Sequence, residues 1–187
     1  MKERIEICLS GSGGQGLILA GIVLAEAAGI YDKKEAVQTQ SYGPEARGGA
    51  SRSEIVISEE TIDYPKVIKS DILLILTQTA CDKYVKNLSE DGILVADSSM
   101  VTEIPSISAK VYQFPITKTA QEKLGTKLVT NIISLGIIIG LTEVVSKDAV
   151  QKAVYSRVPS KAKEINKKAL LLGFDIAKDL KKKEGKQ

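Results

Sequence analysis

The sequence of 187 residues contains no histidine and no tryptophan, and only two cysteines, Cys8 and Cys81. Without an imidazole there is no Ser-His-Asp triad, no histidine general base and no histidine-ligated metal. Two cysteines far apart cannot supply the four thiolates of an iron–sulfur cluster or a structural zinc. Lying in apolar segments, they read as buried free thiols rather than a disulfide. Aromatic residues make up 4% of the chain, too few to build a platform for stacked bases. The charge balance, 26 basic against 23 acidic side chains, leaves a net +3, which is no nucleic-acid footprint. No apolar run is long enough to cross a bilayer, since the longest, Ile132 to Leu141, is broken by Ser134 and two glycines. Met1-Lys2-Glu3-Arg4 lacks the apolar stretch of a signal peptide. These absences lead to the expectation of a soluble, cytoplasmic protein with neither membrane nor nucleic acid as partner.

What is present is the patterning of one globular domain, 43% apolar and 26% charged. Ile5 to Leu9 reads as a strand, Ser10 to Gly16 as a glycine-rich turn, and Leu17 to Ala28 as a buried helix stopped by Gly29. Short strands are expected over Glu35–Thr39 and Ser51–Ile57. Asp71 to Thr77 is a continuous apolar run, the pattern of a strand buried on both faces. A polar helix over Ala80–Leu88 precedes a strand over Gly92–Asp97, and Val111–Ile116 reads as a last strand. The remainder is helical, over Thr119–Lys123, Leu128–Leu141, Lys147–Tyr155 and Lys161–Lys182. Strands alternating with helices predict an α/β fold: a Rossmann-like open, mostly parallel sheet with helices on both faces and a helical C-terminal part. The lysine-rich end, Lys178 to Gln187, is expected to fray into solvent. Asp97-Ser98-Ser99 is expected to cap a helix rather than touch a ligand, and Tyr64, Tyr112, Tyr155, Phe114 and Phe174 are assigned to packing.

Gly11, Gly13 and Gly16 satisfy G-x-G-x-x-G between a strand and a helix. Such a turn has no Cβ atoms to block a phosphate, and the free amides of the helix start point at it. It equally permits a tight turn and close packing of helix on sheet, and both readings stand. A dinucleotide site also needs an acidic residue ending the second strand. That place holds Gln38-Thr39-Gln40-Ser41, so a nicotinamide dinucleotide is disfavoured. Gln15 adds a donor and an acceptor inside the turn. The segment Gln40 to Ser51 concentrates Ser41, Tyr42, Pro44, Arg47, Gly48 and Gly49 after the second strand, where open α/β sheets hold their ligands. Arg47 is a permanently charged planar fork suited to phosphate or carboxylate. The segment is favoured as a ligand or partner surface over a plain surface loop with a Glu45–Arg47 pair.

Taken together, Gly11-x-Gly13-Gly14-Gln15-Gly16, Gln40-Ser41-Tyr42-Gly43-Pro44-Glu45-x-Arg47-Gly48-Gly49 and the strand Ser53 to Ser58 resemble the gamma subunits of 2-oxoacid:ferredoxin oxidoreductases. The likeness continues through Asp71 to Thr77, Asp97-Ser98-Ser99, Asn131 with Leu135-Gly136, and Lys163-x-x-Asn166-x-x-Ala169-Leu170-x-x-Gly173. It covers nearly the whole chain, is strongest to the 2-oxoglutarate type, and implies a single gamma-type domain over residues 1–187. Pyruvate and branched-chain members share much of the pattern. The resemblance implies one subunit of an enzyme that decarboxylates a 2-oxoacid on thiamine diphosphate, passes electrons through [4Fe–4S] clusters to ferredoxin and releases an acyl-CoA. Thiamine diphosphate, its Mg²⁺ and the clusters are then expected on alpha, beta and ferredoxin-like delta partner chains, and the isolated chain has the option of homodimerising. Within that picture no residue here is catalytic. Gly11, Gly13, Gly14, Gln15, Gly16, Ser41, Tyr42, Arg47, Gly48 and Gly49 are expected to form a crevice for coenzyme A or a partner, with Arg47 on a CoA phosphate or carboxylate and Tyr42 across the mouth. A stand-alone nucleotide-binding reductase is the rival reading.

Overall fold

A computed structural model describes residues 3–41 and 50–184. Its strands are β1 (Arg4–Ser12), β2 (Glu35–Ser41), β3 (Ala50–Ser58), β4 (Ser70–Ile75), β5 (Leu88–Asp97) and β6 (Lys110–Phe114). Its helices are α1 (Leu17–Glu26), α2 (Gln78–Tyr84), α3 (Ile116–Leu124), α4 (Thr130–Thr142), α5 (Lys147–Arg157) and α6 (Lys163–Glu184). The six strands form one sheet in the order β2-β3-β1-β4-β5-β6. β1, β4, β5 and β6 are successive parallel neighbours. β3 pairs antiparallel with both β1 and β2, so β2 runs with β1 and β3 alone runs against the rest. The expected mostly parallel sheet is therefore present, with one reversed strand inserted beside β1.

The central strands are apolar on both faces because both faces are covered. In β4, Ile72 and Leu74 join the larger core cluster, while Leu73 and Ile75 join the smaller. The larger cluster is built with α1, α3, α4, α5 and α6. The smaller takes only α2 and the segment that contributes Val101 and Ala109. Helices lie on both faces as expected, but very unequally. α4 is hydrophobic nearly all round and correspondingly buried, with Asn131 through Ile139 all inaccessible. It runs against α6 at backbone contact. A Cβ on Gly136 would come 2.8 Å from the Cα of Gly173, and one on Gly140 would come 2.5 Å from the Cβ of Ala177. Side chains at these places would force the helices apart.

Several expectations need correction: Lys178 to Glu184 continues α6 instead of fraying, and Tyr64, assigned to packing, is exposed. β1 does not end at Leu9 but pairs through Ser12, so Ser10 and Gly11 are strand residues opposite Arg52 and Ser51. Gly29 does not stop the first helix. The chain continues through a π-helical turn, Ala27–Tyr31, and closes with Asp32 N–H donating to the Ala27 carbonyl at 3.0 Å. Ala27 and Ala28 are fully buried there, and their packing outweighs the roughly 1 kcal/mol by which glycine disfavours a helix.

Candidate functional site

With β1, β2, β4, β5 and β6 all pointing one way, their carboxyl ends share one edge. β1 and β4 are adjacent at this edge, and their connections diverge: α1 follows β1 on the larger core's face, and α2 follows β4 on the other. This is the topological switch point, where an open α/β sheet has a natural crevice. The turn after β1 sits there. Leu76, following β4, donates its N–H to the Ser10 carbonyl at 3.0 Å and so pins one wall.

Each glycine of the turn has its own reason. Gly11 faces the Gln15 side-chain oxygen and Leu76, whose Cβ would lie 3.1 Å from an added methyl. Gln15 folds back over the turn, its Oε1 accepting the Ser12 N–H at 2.7 Å. The Gln15 acceptor expected to be available in the turn is therefore committed to closing it. Gly14 and Gly16 have φ of +87° and +72°, the left-handed region where a Cβ is costly. Gly16 is also the N-cap of α1, contributes no side-chain cap, and would bring a Cβ to 2.5 Å from Asn131 Nδ2. Gly13 is different. Its φ is not positive, and an added Cβ would meet nothing within 4 Å among the described residues. Packing accounts for Gly11, backbone angle for Gly14 and both for Gly16, whereas neither accounts for Gly13 among the described residues.

Above this turn lies the start of α1, whose residues Leu17, Ile18 and Leu19 precede the first intrahelical bond, Ala20 N–H to the Gly16 carbonyl at 3.0 Å. Amides in that position have no acceptor within the helix and attract negative charge. α4 also starts at this edge: Asn131 donates from Nδ2 to the Gly16 carbonyl at 3.0 Å across 115 residues of sequence. The sequence pattern contains Asn131 without indicating a role for it, because no local spacing links it to Gly16.

Ser41 ends β2 opposite Arg52, and Ala50 begins β3 opposite Ser12. Both ends of the intervening loop thus stand at the same edge as the glycine turn. Tyr42, Arg47, Gly48 and Gly49, together with the Ser41 side chain, lie outside the described residues. Gln38, at the place a dinucleotide site reserves for an acid, donates from Nε2 to Ser53 Oγ at 2.9 Å. The strand order weakens the dinucleotide reading further: β3 separates β2 from β1, which sets the end of β2 about 10 Å rather than 5 Å from the turn.

The remaining polar groups near this edge are structural. Asp97 is fully buried, and its carboxylate accepts from Thr117 N–H at 2.8 Å and from Ser99 N–H and Oγ–H at 3.0 and 2.6 Å. It caps the start of α3, as expected. Cys8 and Cys81 are both free and buried. Burial, reinforced by Glu54 and opposed by Arg52, pushes the Cys8 thiol up to about 12. Among the described residues no three His, Cys, Asp or Glu side chains come together as a metal site, and no helix is long and apolar enough to cross a membrane.

What this α/β chain with a glycine turn at its switch point belongs to is shown by its relatives. The family model described as pyruvate ferredoxin/flavodoxin oxidoreductase matches residues 6–176, and the chain belongs to that family. It is a gamma-type subunit within it. The 2-oxoglutarate synthase subunit KorC of Methanocaldococcus jannaschii is 50% identical over 182 residues, covering 96% of this chain and 97% of that one. The pyruvate synthase subunit PorC of Methanothermobacter marburgensis is 30% identical, over 93% of this chain and 98% of its own. The crystal structure of the keto/oxoacid ferredoxin oxidoreductase gamma subunit from Geobacter sulfurreducens superposes with a TM-score of 0.85 at 53% identity, covering 92% of this chain and 98% of that one.

Proposed function

We propose that this chain is the gamma subunit of a 2-oxoglutarate:ferredoxin oxidoreductase and contributes its carboxyl-edge crevice to coenzyme A. The assembled enzyme converts 2-oxoglutarate and CoA to succinyl-CoA and CO₂, delivering two electrons to ferredoxin. The choice of oxoacid rests on the gradient of likeness, 50% to a 2-oxoglutarate synthase subunit against 30% to a pyruvate synthase subunit. Two buried, free cysteines cannot hold a [4Fe–4S] cluster, so the clusters, like thiamine diphosphate and Mg²⁺, are assigned to alpha, beta and delta partner chains. What this chain supplies is binding and orientation.

The observation that carries the CoA reading is Gly13, a glycine required neither by its backbone angles nor by any described neighbour. A group from outside the chain that approaches the backbone closely gives it a reason. The amides at the start of α1, which have no acceptor within the helix, make that group an anion, and a CoA phosphate fits. Arg47, on the adjoining loop, is assigned a CoA phosphate or carboxylate. Leu128 and Met100, 83% and 46% exposed, stand at the same edge and suit a partner chain closing over the crevice. The test is Gly13→Asp in the assembled enzyme. An added Cβ meets nothing within 4 Å among the described residues, while the carboxylate's charge opposes the phosphate. The KM for CoA should rise at least about tenfold with the KM for 2-oxoglutarate unchanged. An unchanged KM for CoA would remove CoA from this turn.

A further inference from the structure

We infer that Asn131 is a positioning residue for the crevice, setting CoA affinity by holding Gly16 in the one conformation that aims the first amides of α1 outward. The inference rests on the reading of the turn as a CoA site. Asn131 is 3% exposed, in the first turn of a largely apolar helix whose neighbours Ile132, Ile133 and Leu135 are fully buried. Its Nδ2 donates to the Gly16 carbonyl, but that carbonyl already accepts the first helical bond of α1 from Ala20 N–H at 3.0 Å. The clamp is therefore surplus to forming the helix. It also has a cost, because Asn131 Oδ1 is buried with no hydrogen-bond partner among the described residues. A leucine, with the same number and branching of heavy side-chain atoms, would avoid that cost and match its neighbours.

What the amide supplies is a choice of backbone state. Gly16, at φ +72° and ψ +21°, has no side-chain cap. A glycine populates positive and negative φ about equally when nothing restrains it. Anchoring its carbonyl to a buried side chain of α4 selects the left-handed state and with it the direction of the amides at Leu17 to Leu19. An anion then meets donors already in place.

The test uses the assembled enzyme with Asn131→Leu and Asn131→Asp. Leucine removes the donor and the unpartnered oxygen together. Aspartate keeps the shape, loses the donor and adds negative charge beside the start of α1. Both variants should raise the KM for CoA, leucine about tenfold and aspartate more. The excess of aspartate over leucine should shrink as salt is added. kcat at saturating CoA and the KM for 2-oxoglutarate should stay within about twofold. A purely structural role would instead lower the melting temperature and the yield of assembled enzyme in both variants, leaving the KM for CoA in place, and that result overturns the inference. Gly13→Asp measured alongside separates the two claims. A raised KM there with unchanged values in both Asn131 variants refutes the role of Asn131 alone, and no change in any of the three refutes the CoA crevice as well.

Discussion

Replacing Gly16 and Gly13 separately by alanine should split the glycine turn into a part the fold needs and a part it does not. At Gly16 the backbone is left-handed, φ +72°, which costs a residue with a Cβ about 1–2 kcal/mol. The new methyl would also lie 2.5 Å from Asn131 Nδ2, so the amide must move and its hydrogen bond to the Gly16 carbonyl breaks. A buried donor left unpaired costs roughly a further 1–3 kcal/mol. The sum is about 2–4 kcal/mol, allowing for partial relaxation of Asn131. For a chain of this length about 2–4 °C of melting temperature accompanies each kcal/mol, so Gly16→Ala should melt roughly 5–15 °C earlier. At Gly13 an alanine meets nothing described within 4 Å and φ is not positive, so it should be neutral or gain up to about 0.5–1 kcal/mol by restricting the unfolded chain. Thermal melts of the two purified variants beside the parent measure this directly. A Gly13→Ala loss as large as that of Gly16→Ala would refute the assignment of the two glycines to different causes.

Asp97→Ala removes three charge-assisted bonds and the cap of α3, and should cost roughly 2–4 kcal/mol by chemical denaturation, whereas Asp97→Asn, which keeps one acceptor oxygen, should cost less. Cys8 makes a pH prediction. Its thiol ionises near 9.0 when unfolded and at about 12 when folded, so the folded state favours the neutral form. That contribution is complete below pH 9 and disappears as the pH rises from 9 toward 12. Stability should fall across that window in the parent and fall less in Cys8→Ala. At pH 8 a thiol-specific reagent should label Cys8 only after denaturant is added, and rapid labelling of the native chain would contradict its burial.

Sequence alone shows the order of elements well, because each element carries its own period. The run Ile72-Leu-Leu-Ile75 reads as a strand covered on both sides, and Ile132 to Leu141 reads as a buried helix despite its glycines. Direction is less visible. Ile55-Val56-Ile57 has the same pattern whichever way β3 points, and its reversal follows instead from connection length. The eight residues 42–49 between β2 and β3 are too few for a parallel crossover, which takes a dozen or more. The unequal helix cover also escapes the pattern, since a buried residue does not reveal which face buries it. At the site, the glycine spacing marks the turn, but the division of labour within it does not appear in the spacing. Gly11, Gly14 and Gly16 answer to Leu76, to backbone angle and to Asn131, partners that are brought near only by the sheet order and by α4. Gln15 shows the same limit: its polar side chain suggests a ligand contact, and it closes the turn instead.

The measurement that bears most directly on the account is anaerobic reconstitution of the oxidoreductase with and without this chain, assayed for CoA-dependent viologen reduction. The account requires activity on 2-oxoglutarate well above that on pyruvate, and its loss when the chain is omitted. Equal or greater activity on pyruvate, or full 2-oxoglutarate activity without the chain, would contradict it.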